Sequence, residues 1–433
     1  MNLKKDTLNR IPPPFDAPLR ICLLSYRCNP HSGGQGVYVK NLSRALRDLG
    51  HAVTVLAGPP EIELAPGVRR IALYGLDLYN PADPFRLPAA AELADPVNLI
   101  EWAGVASMGF PEPFTFGLRA FGYLKRRLAD FDVLHDNQSL SYGIWALGRR
   151  APAVASIHHP VTVDRRFAVA AERSPLRKLQ RWRWYSFIGM QKRVARRLFP
   201  IITVSQRSRS DICREFCIPA DRCRVVPNGI DTELFRPLPG VEREPGRIIV
   251  TNSADMPLKG LTHLLAAVAA ARTGHPRLRL IVIGKPNRNG TVERLVAELG
   301  IAPWVRFTGR ISDADLVRHY ARASLAVVPS IYEGFGLPAG EAMACAVPVV
   351  STTGGALPEV VGDAGLLVPP ADPAALARAI RELLEGPQQA RELGRRGYER
   401  VHRNFSWRRA AQQTVDAYRE AIDGHRRFRP HRS

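Results

Sequence analysis

Short apolar runs alternating with amphipathic stretches occupy nearly the whole chain, and that alternation is what most limits its fold. "RICLLSY" (20–26) has the pattern of a buried strand. A glycine-rich turn, "HSGGQG", and a helical pattern, "VYVKNLSRALRDLG", follow it, and "HAVTVL" (51–56) is the next strand. Strands joined through helices run parallel in a sheet covered on both faces. "DFDVLHDN" (130–137), "APAVASIHH" (151–159) and "FPIITVSQ" (199–206) extend the series, each closing on polar residues. After "VVPNGIDTELFRPLPG" (225–240) the Pro- and Gly-rich "PLPGVEREPGR" reads as a linker, and a second series begins. It comprises "RIIVTNSA", "RLRLIVIGK", "WVRFTGR", "SLAVVPS", "AVPVVST" and "GLLVPP".

The expected architecture is therefore α/β, with two Rossmann-like parallel-sheet domains facing each other across a cleft. A chain of 433 residues exceeds what one hydrophobic core usually supports. The domains are expected at 1–240 and 241–405, with an amphipathic helix at 406–422 that packs back on the first or caps the second, and a disordered basic tail at 424–433. In open parallel sheets ligands bind beyond the carboxyl ends of the strands, so both expected walls of the cleft are binding surfaces.

A formal charge of +21 favours anionic partners such as phosphorylated ligands, an acidic membrane surface or nucleic acid. The six cysteines form no C-x-x-C pair, and no His or further Cys completes the group Cys213, Cys217 and Cys223, so buried reduced thiols of a cytoplasmic protein are expected. "MNLKKDTLNRIPPPF" lacks the apolar core of a secretion signal, and no apolar stretch reaches the length of a membrane span.

The chemistry concentrates in "PSIYEGFGLPAGEAMA" (329–344), where Glu333 and Glu341 flank a Gly-Phe-Gly-Leu-Pro turn. Leu337-Pro338 suits a helix start, which places Glu341 in or just beyond the first turn, and amides near Gly336 can bind an anion. Alone, Glu341 would merely complement the helix dipole and Glu333 would be a solvated loop residue. As a pair around a glycine-rich turn they read as functional.

"EGFGLPAGEAMA" resembles the E-x7-E signature of the family 4 retaining glycosyltransferases, which adopt the GT-B fold. "GGQGVYVKNLSRALRDLGHAVTV", "VVPNGIDTELF" and "GGALPEVVGDAGLLVPPADPAALARAI" resemble further motifs of that family, so the likeness covers nearly the whole chain. The resemblance implies an N-terminal acceptor domain and a C-terminal nucleotide-sugar donor domain. It implies that Glu333 bonds the hydroxyls of the donor sugar and Glu341 the ribose. It implies that the Gly334, Phe335, Gly336 and Leu337 backbone meets the diphosphate, and that Lys259 in "ADMPLKG" stabilises the leaving group. It also places Gly33 and Gly34 against the donor phosphates, the backbone of Gly309, Arg310 and Ile311 near the base, and His158 near the reaction centre, in preference to its neighbour His159. Asp136 and Asp164 are weaker acceptor contacts by the same reasoning. Ser253 stands where the family usually has an arginine that clamps phosphate, so either Lys285 or Arg310 substitutes or phosphate binding is weaker.

The activity implied is retaining transfer of a sugar from a nucleotide-diphosphate donor to a hydroxyl acceptor, such as a glycolipid or polysaccharide precursor, with no cofactor and no metal. Two D-x-D strings, Asp130 with Asp132 and Asp313 with Asp315, are expected to serve structure, since Ser312 reads as a helix cap. A phosphorylase of the same fold and a catalytically inactive nucleotide-sugar sensor remain as alternatives. The stretch 165–197 interleaves Arg and Lys with Trp182, Trp184, Tyr185 and Phe187. A solvated helix with a buried aromatic face is the first reading, peripheral contact with an anionic membrane surface the second, and nucleic acid the last, so no nucleic-acid partner is expected.

Overall fold

The computed structural model describes residues 17–28, 34–80, 83, 86–251 and 256–427. Its described residues fall into two compact units, one drawn from Met1–Thr203, Arg209–Val226 and Arg408–Ser433, the other from Val204–Ser208 and Pro227–Trp407. The chain thus leaves the first unit at Val226, ahead of the stretch read as a linker, and Glu244 to Arg247 of that stretch already belong to a strand.

The first unit holds seven parallel strands: β1 (Arg20–Ser25), β2 (Ala52–Ala57), β3 (Arg69–Ala72), β4 (Val133–Asn137), β5 (Ala153–Ile157), β6 (Ile201–Thr203) and β7 (Cys223–Val225). Their order is β3-β2-β1-β4-β5-β6-β7, so it reverses between β1 and β4. The second unit holds six: β8 (Glu244–Thr251), β9 (Arg279–Ile283), β10 (Val305–Phe307), β11 (Ala323–Val328), β12 (Val349–Thr352) and β13 (Leu366–Val368), in the order β10-β9-β8-β11-β12-β13. Here the reversal lies between β8 and β11. Such a reversal opens a crevice at the carboxyl ends of the two strands concerned, and this is where open α/β sheets bind ligands.

Central strands of a parallel sheet are buried on both faces, which is why they read as unbroken apolar runs. Along β8, Ile248 and Val250 enter one hydrophobic cluster while Ile249 enters the cluster on the opposite face. β11 divides in the same way, Leu325 and Val327 to one side, Ala326 and Val328 to the other. β3 departs from this pattern. It lies at the sheet edge, and Arg69, Arg70 and Ala72 are exposed.

The helix Trp407–Arg427 joins the first unit from Arg408 onward. Its Tyr418 is fully buried, and the hydroxyl meets His135 Nδ1 of β4 at 2.6 Å. His135 Nε2 lies 2.7 Å from Ser156 Oγ, which in turn lies 2.9 Å from the Tyr38 hydroxyl. Burial lowers the His135 pKa to about 3, with a smaller contribution from His158. The imidazole therefore stays neutral, one nitrogen donating and the other accepting, as a closed chain of hydroxyls requires. The cysteines are free, but Cys217 is exposed and Cys213 only half-buried, so the expectation of buried thiols holds for four of the six.

Candidate active site

In the second unit the sequence-predicted residues collect at the carboxyl edge of the sheet. Lys259 follows β8 in a short helical turn, Pro257–Lys259, and Glu333 lies in the loop after β11. Lys259 Nζ donates to Glu333 Oε1 at 2.7 Å, and Ser330 Oγ donates to the same oxygen at 2.8 Å. The lysine is 29% and the glutamate 12% exposed, so the pair sits below the surface and still reaches solvent. Each charge compensates the other where water is scarce.

Three separate segments hold the 330–336 loop. Ala356 N donates to Glu333 O at 2.9 Å. Ser205 Oγ and Ser208 Oγ both donate to Gly334 O, at 2.7 and 3.0 Å. The Glu359 carboxylate accepts from Gln206 N and Arg207 N at 2.8 Å each and so caps the helix that presents those serines. Ile331 N donates to Leu258 O at 2.8 Å, which ties the Glu333 loop to the Lys259 turn. Gly354 and Gly355 let the backbone pass close by: a Cβ on Gly355 would lie 2.2 Å from Glu333 O. Gly336 closes the loop with φ 107°, a backbone that glycine adopts without strain, and leads into the helix Leu337–Ala344.

Glu341 lies on that helix just past its first turn, half-buried, and its carboxyl is pushed up to about 7 by burial first and by the charge of Asp313 second. The Phe335 ring packs edge-on against Phe405 at 5.5 Å inside the core, which leaves its backbone for a ligand. Gly309 (φ 71°), Arg310 and Ile311 follow β10, and Gly309 N donates to Gly284 O at 3.0 Å. Arg310 and Lys285 are both exposed beyond their strand ends. Ser253 lies outside the described residues.

In the first unit the carboxyl ends of β4 and β5 carry the second group. Gln138 (φ 59°) and Leu140 (φ 48°) both adopt a backbone that side chains disfavour. Asp136 holds them there. Its carboxylate accepts from Leu140 N at 2.7 Å and from Ser139 Oγ, and it is wholly buried, which rules it out as an acceptor contact. Gln138 then clamps the end of β5, accepting from His158 N at 2.8 Å and donating to His159 O at 3.1 Å. Strain of this kind concentrates where a site must be held in one shape.

Asn137 Nδ2 donates to the Gln35 carbonyl at 3.3 Å and to Ser25 Oγ at 3.1 Å. A carbonyl only accepts, so Asn137 Oδ1 faces His158 Nε2, 2.7 Å away, and that nitrogen carries the proton. Burial, then the nearby His159, lowers the His158 pKa to about 3. The Tyr38 ring packs edge-on against His158 at 4.6 Å. His159 instead pairs with Asp164 at 2.6 Å. Gly34 opens the helix Gly34–Asp48, where a Cβ would meet nothing within 4 Å, while Gly33 lies outside the described residues.

Neither D-x-D string forms a cluster of carboxylates. Asp132 bonds Arg20, Asp315 bonds Arg318, and Ser312 caps the helix Asp313–Arg322. Ser330, Ser205, Ser208, Glu359, Asn137 and Gln138 escaped the sequence reading. The polar strand end "HDNQS" was a usable signal for the last two.

The sequence model described as "Glycosyltransferase Family 4" matches residues 32–234, and that described as "Glycosyl transferases group 1" matches residues 239–400. A protein of Mycolicibacterium hassiacum named "MMP alpha-(1->4)-mannosyltransferase" is 47% identical over 409 residues, 93% of this chain and 98% of its own. The chain belongs to the family 4, group 1 glycosyltransferases. A second relative of this glycosyltransferase, a D-inositol 3-phosphate glycosyltransferase of Saccharomonospora viridis, is 30% identical over 94% of this chain and 95% of its own. The structure of sucrose-phosphate synthase from Thermosynechococcus elongatus superimposes with a TM-score of 0.71 at 27% identity, covering 94% of this chain and all of that one. The glycosyltransferase has the GT-B fold and moves a sugar to an acceptor.

Proposed function

We propose that this glycosyltransferase moves a mannosyl residue from a nucleoside-diphosphate donor to a saccharide hydroxyl, with retention of the anomeric configuration and an α-(1→4) linkage. The observation that carries the reading is the Lys259–Glu333 pair at the β8/β11 crevice, in a chain 47% identical to an α-(1→4)-mannosyltransferase. In the proposed complex Glu333 accepts from the donor sugar's hydroxyls and Glu341 from the ribose. Lys259 shifts to the diphosphate, where it meets charge that develops as the bond breaks. Loop amides at the helix Leu337–Ala344 take further phosphate oxygens. A lysine in this place does the work of a cation, so no metal is required.

No side chain is assigned as a nucleophile on the opposite face of the sugar. The acceptor hydroxyl attacks from the leaving-group side and passes its proton to a phosphate oxygen, while neutral His158 orients the transferred sugar. Positioning and charge stabilisation then account for catalysis.

The test is a panel of nucleoside-diphosphate sugars, mannose and glucose on several bases, assayed with wild type and Glu333→Ala against mannoside acceptors. Release of nucleoside diphosphate with an α-(1→4) product, lost in the variant, is expected. Turnover that needs inorganic phosphate in place of an acceptor would indicate a phosphorylase, and donor binding without turnover a sensor.

A second partner is proposed on a different observation. On the helix Pro175–Trp184, Leu176 and Leu179 are 64% and 66% exposed and Trp182 52%, among Arg177, Lys178, Arg181 and Arg183. Apolar side chains projecting between cations suit contact with an anionic bilayer surface. Among the described residues no helix is long and apolar enough to cross a membrane. Flotation with vesicles containing anionic lipid, set against neutral vesicles and against Leu179→Glu, checks this contact.

A further inference from the structure

A cavity of about 500 Å³ in the first unit lies apart from the residues placed in the reaction. Its walls include Tyr79, Met108, Glu172, Gln180, Arg181 and Trp184. That volume is in the range of small-molecule sites. On the helix Pro175–Trp184, positions 177, 180, 181 and 184 recur at three- and four-residue spacing and turn one face to the cavity. The exposed Leu176, Leu179 and Trp182 occupy the remaining face.

The aromatic wall is rigid. The Trp184 ring stacks on Phe110 at 5.2 Å with planes 25° apart, and Tyr79 meets it edge-on at 5.4 Å. The Tyr79 hydroxyl is engaged, donating to Gly109 O at 3.0 Å. Behind this wall the Arg27 guanidinium lies over Tyr79 at 5.2 Å and over Phe110 at 5.5 Å, and Glu112 holds it through a bond of 2.5 Å. Arg27 stands two residues past the end of β1, so the cavity adjoins the carboxyl edge of the sheet. The opposite wall is polar. Arg181 and Glu172 form an ion pair at 2.9 Å, and Gln180 has no side-chain partner among the described residues.

We infer that this cavity binds pyranose units of an oligosaccharide acceptor, away from the hydroxyl that reacts. A pyranose presents an apolar C–H face and a rim of hydroxyls. Aromatic rings take the first, while an amide and charged forks take the second, often two bonds at a time. An acyl chain would strand the ion pair and Gln180 in an apolar contact, at a cost in desolvation. A phosphate would meet the Glu172 carboxylate, and the charge of Arg181 is already compensated, which leaves Arg177 as the one uncompensated cation among the described lining residues.

The inference rests on the reading that the acceptor is a saccharide, and binding without donor separates the two. Calorimetric titration of the full chain would use synthetic α-(1→4)-linked mannotetraose and, beside it, methyl α-mannoside. The tetrasaccharide is expected to bind more tightly than the monosaccharide. Trp184→Ala should weaken it by roughly tenfold or more, the scale of a buried aromatic anchor. Gln180→Ala, a change at a half-buried polar side chain that leaves the aromatic wall intact, should weaken it by roughly twofold to tenfold. Nucleotide binding in the same preparations should be unchanged.

Tetrasaccharide binding that both variants leave intact would overturn the inference, and so would a wild type that binds no tetrasaccharide. Tetrasaccharide binding that depends on Trp184 and Gln180, in a chain that turns over no mannosyl donor, would support the cavity's role and refute mannosyl transfer instead.

Discussion

Gly355→Ala tests whether the glycine pair after β12 builds the Glu333 loop. The new Cβ would stand 2.2 Å from Glu333 O and 2.6 Å from Glu333 N, both backbone atoms that no rotamer change can move. Its φ of 63° adds strain of about 1–2 kcal/mol for an alanine. Relieving the overlap means shifting the loop, and overpacking of this kind costs about 1–3 kcal/mol. A total near 3 kcal/mol lowers the melting temperature of a unit of this size by roughly 6–12 °C. Gly309→Ala is the control, because its φ of 71° carries the same strain while its Cβ would meet nothing within 4 Å. Calorimetric melting and nucleotide titration of both variants separate the effects. Gly355→Ala should melt lower than Gly309→Ala and also lose donor affinity, since Glu333 has moved away from Lys259. Equal melting losses, or full donor affinity in Gly355→Ala, would refute the assigned role of the glycine.

Three further outcomes are expected. Burial and Asp313 push the Glu341 carboxyl up to about 7, and the contact proposed with the ribose is strongest in its ionised form. Nucleotide affinity should therefore fall as pH drops below 7, by at most roughly tenfold per unit, and Glu341→Gln should remove that part of the slope in a titration from pH 6 to 8. Lys259→Met removes the cation proposed to meet the diphosphate and should lower kcat by roughly a hundredfold or more, with a smaller change in nucleotide affinity; steady-state kinetics with the best donor would show it. Tyr418→Phe leaves His135 Nδ1 buried without its hydroxyl partner and should cost about 1–3 kcal/mol in urea unfolding, with little effect on nucleotide binding to the second unit.

The parts that sequence alone determined are those with short-range physical causes. Alternating apolar runs and helical patterns determined two parallel sheets, because a doubly covered strand has to be apolar throughout. The spacing of Glu333, the glycine-rich turn and Glu341 marked the site, because the loop and helix that place these residues are contiguous in the chain. β3 escaped because an edge strand with Arg69, Arg70 and Ala72 exposed has no apolar run to reveal it. Tertiary structure decided what holds the site in place. Ser205 reaches Gly334 across 129 residues, and Tyr418 meets His135 across 283. No local pattern encodes such pairs. Tertiary structure also turned Asp136 into the brace of a strained turn, sent Phe335 into the core and raised the pKa of Glu341, because desolvation and the approach of Asp313 arise only when distant segments pack together.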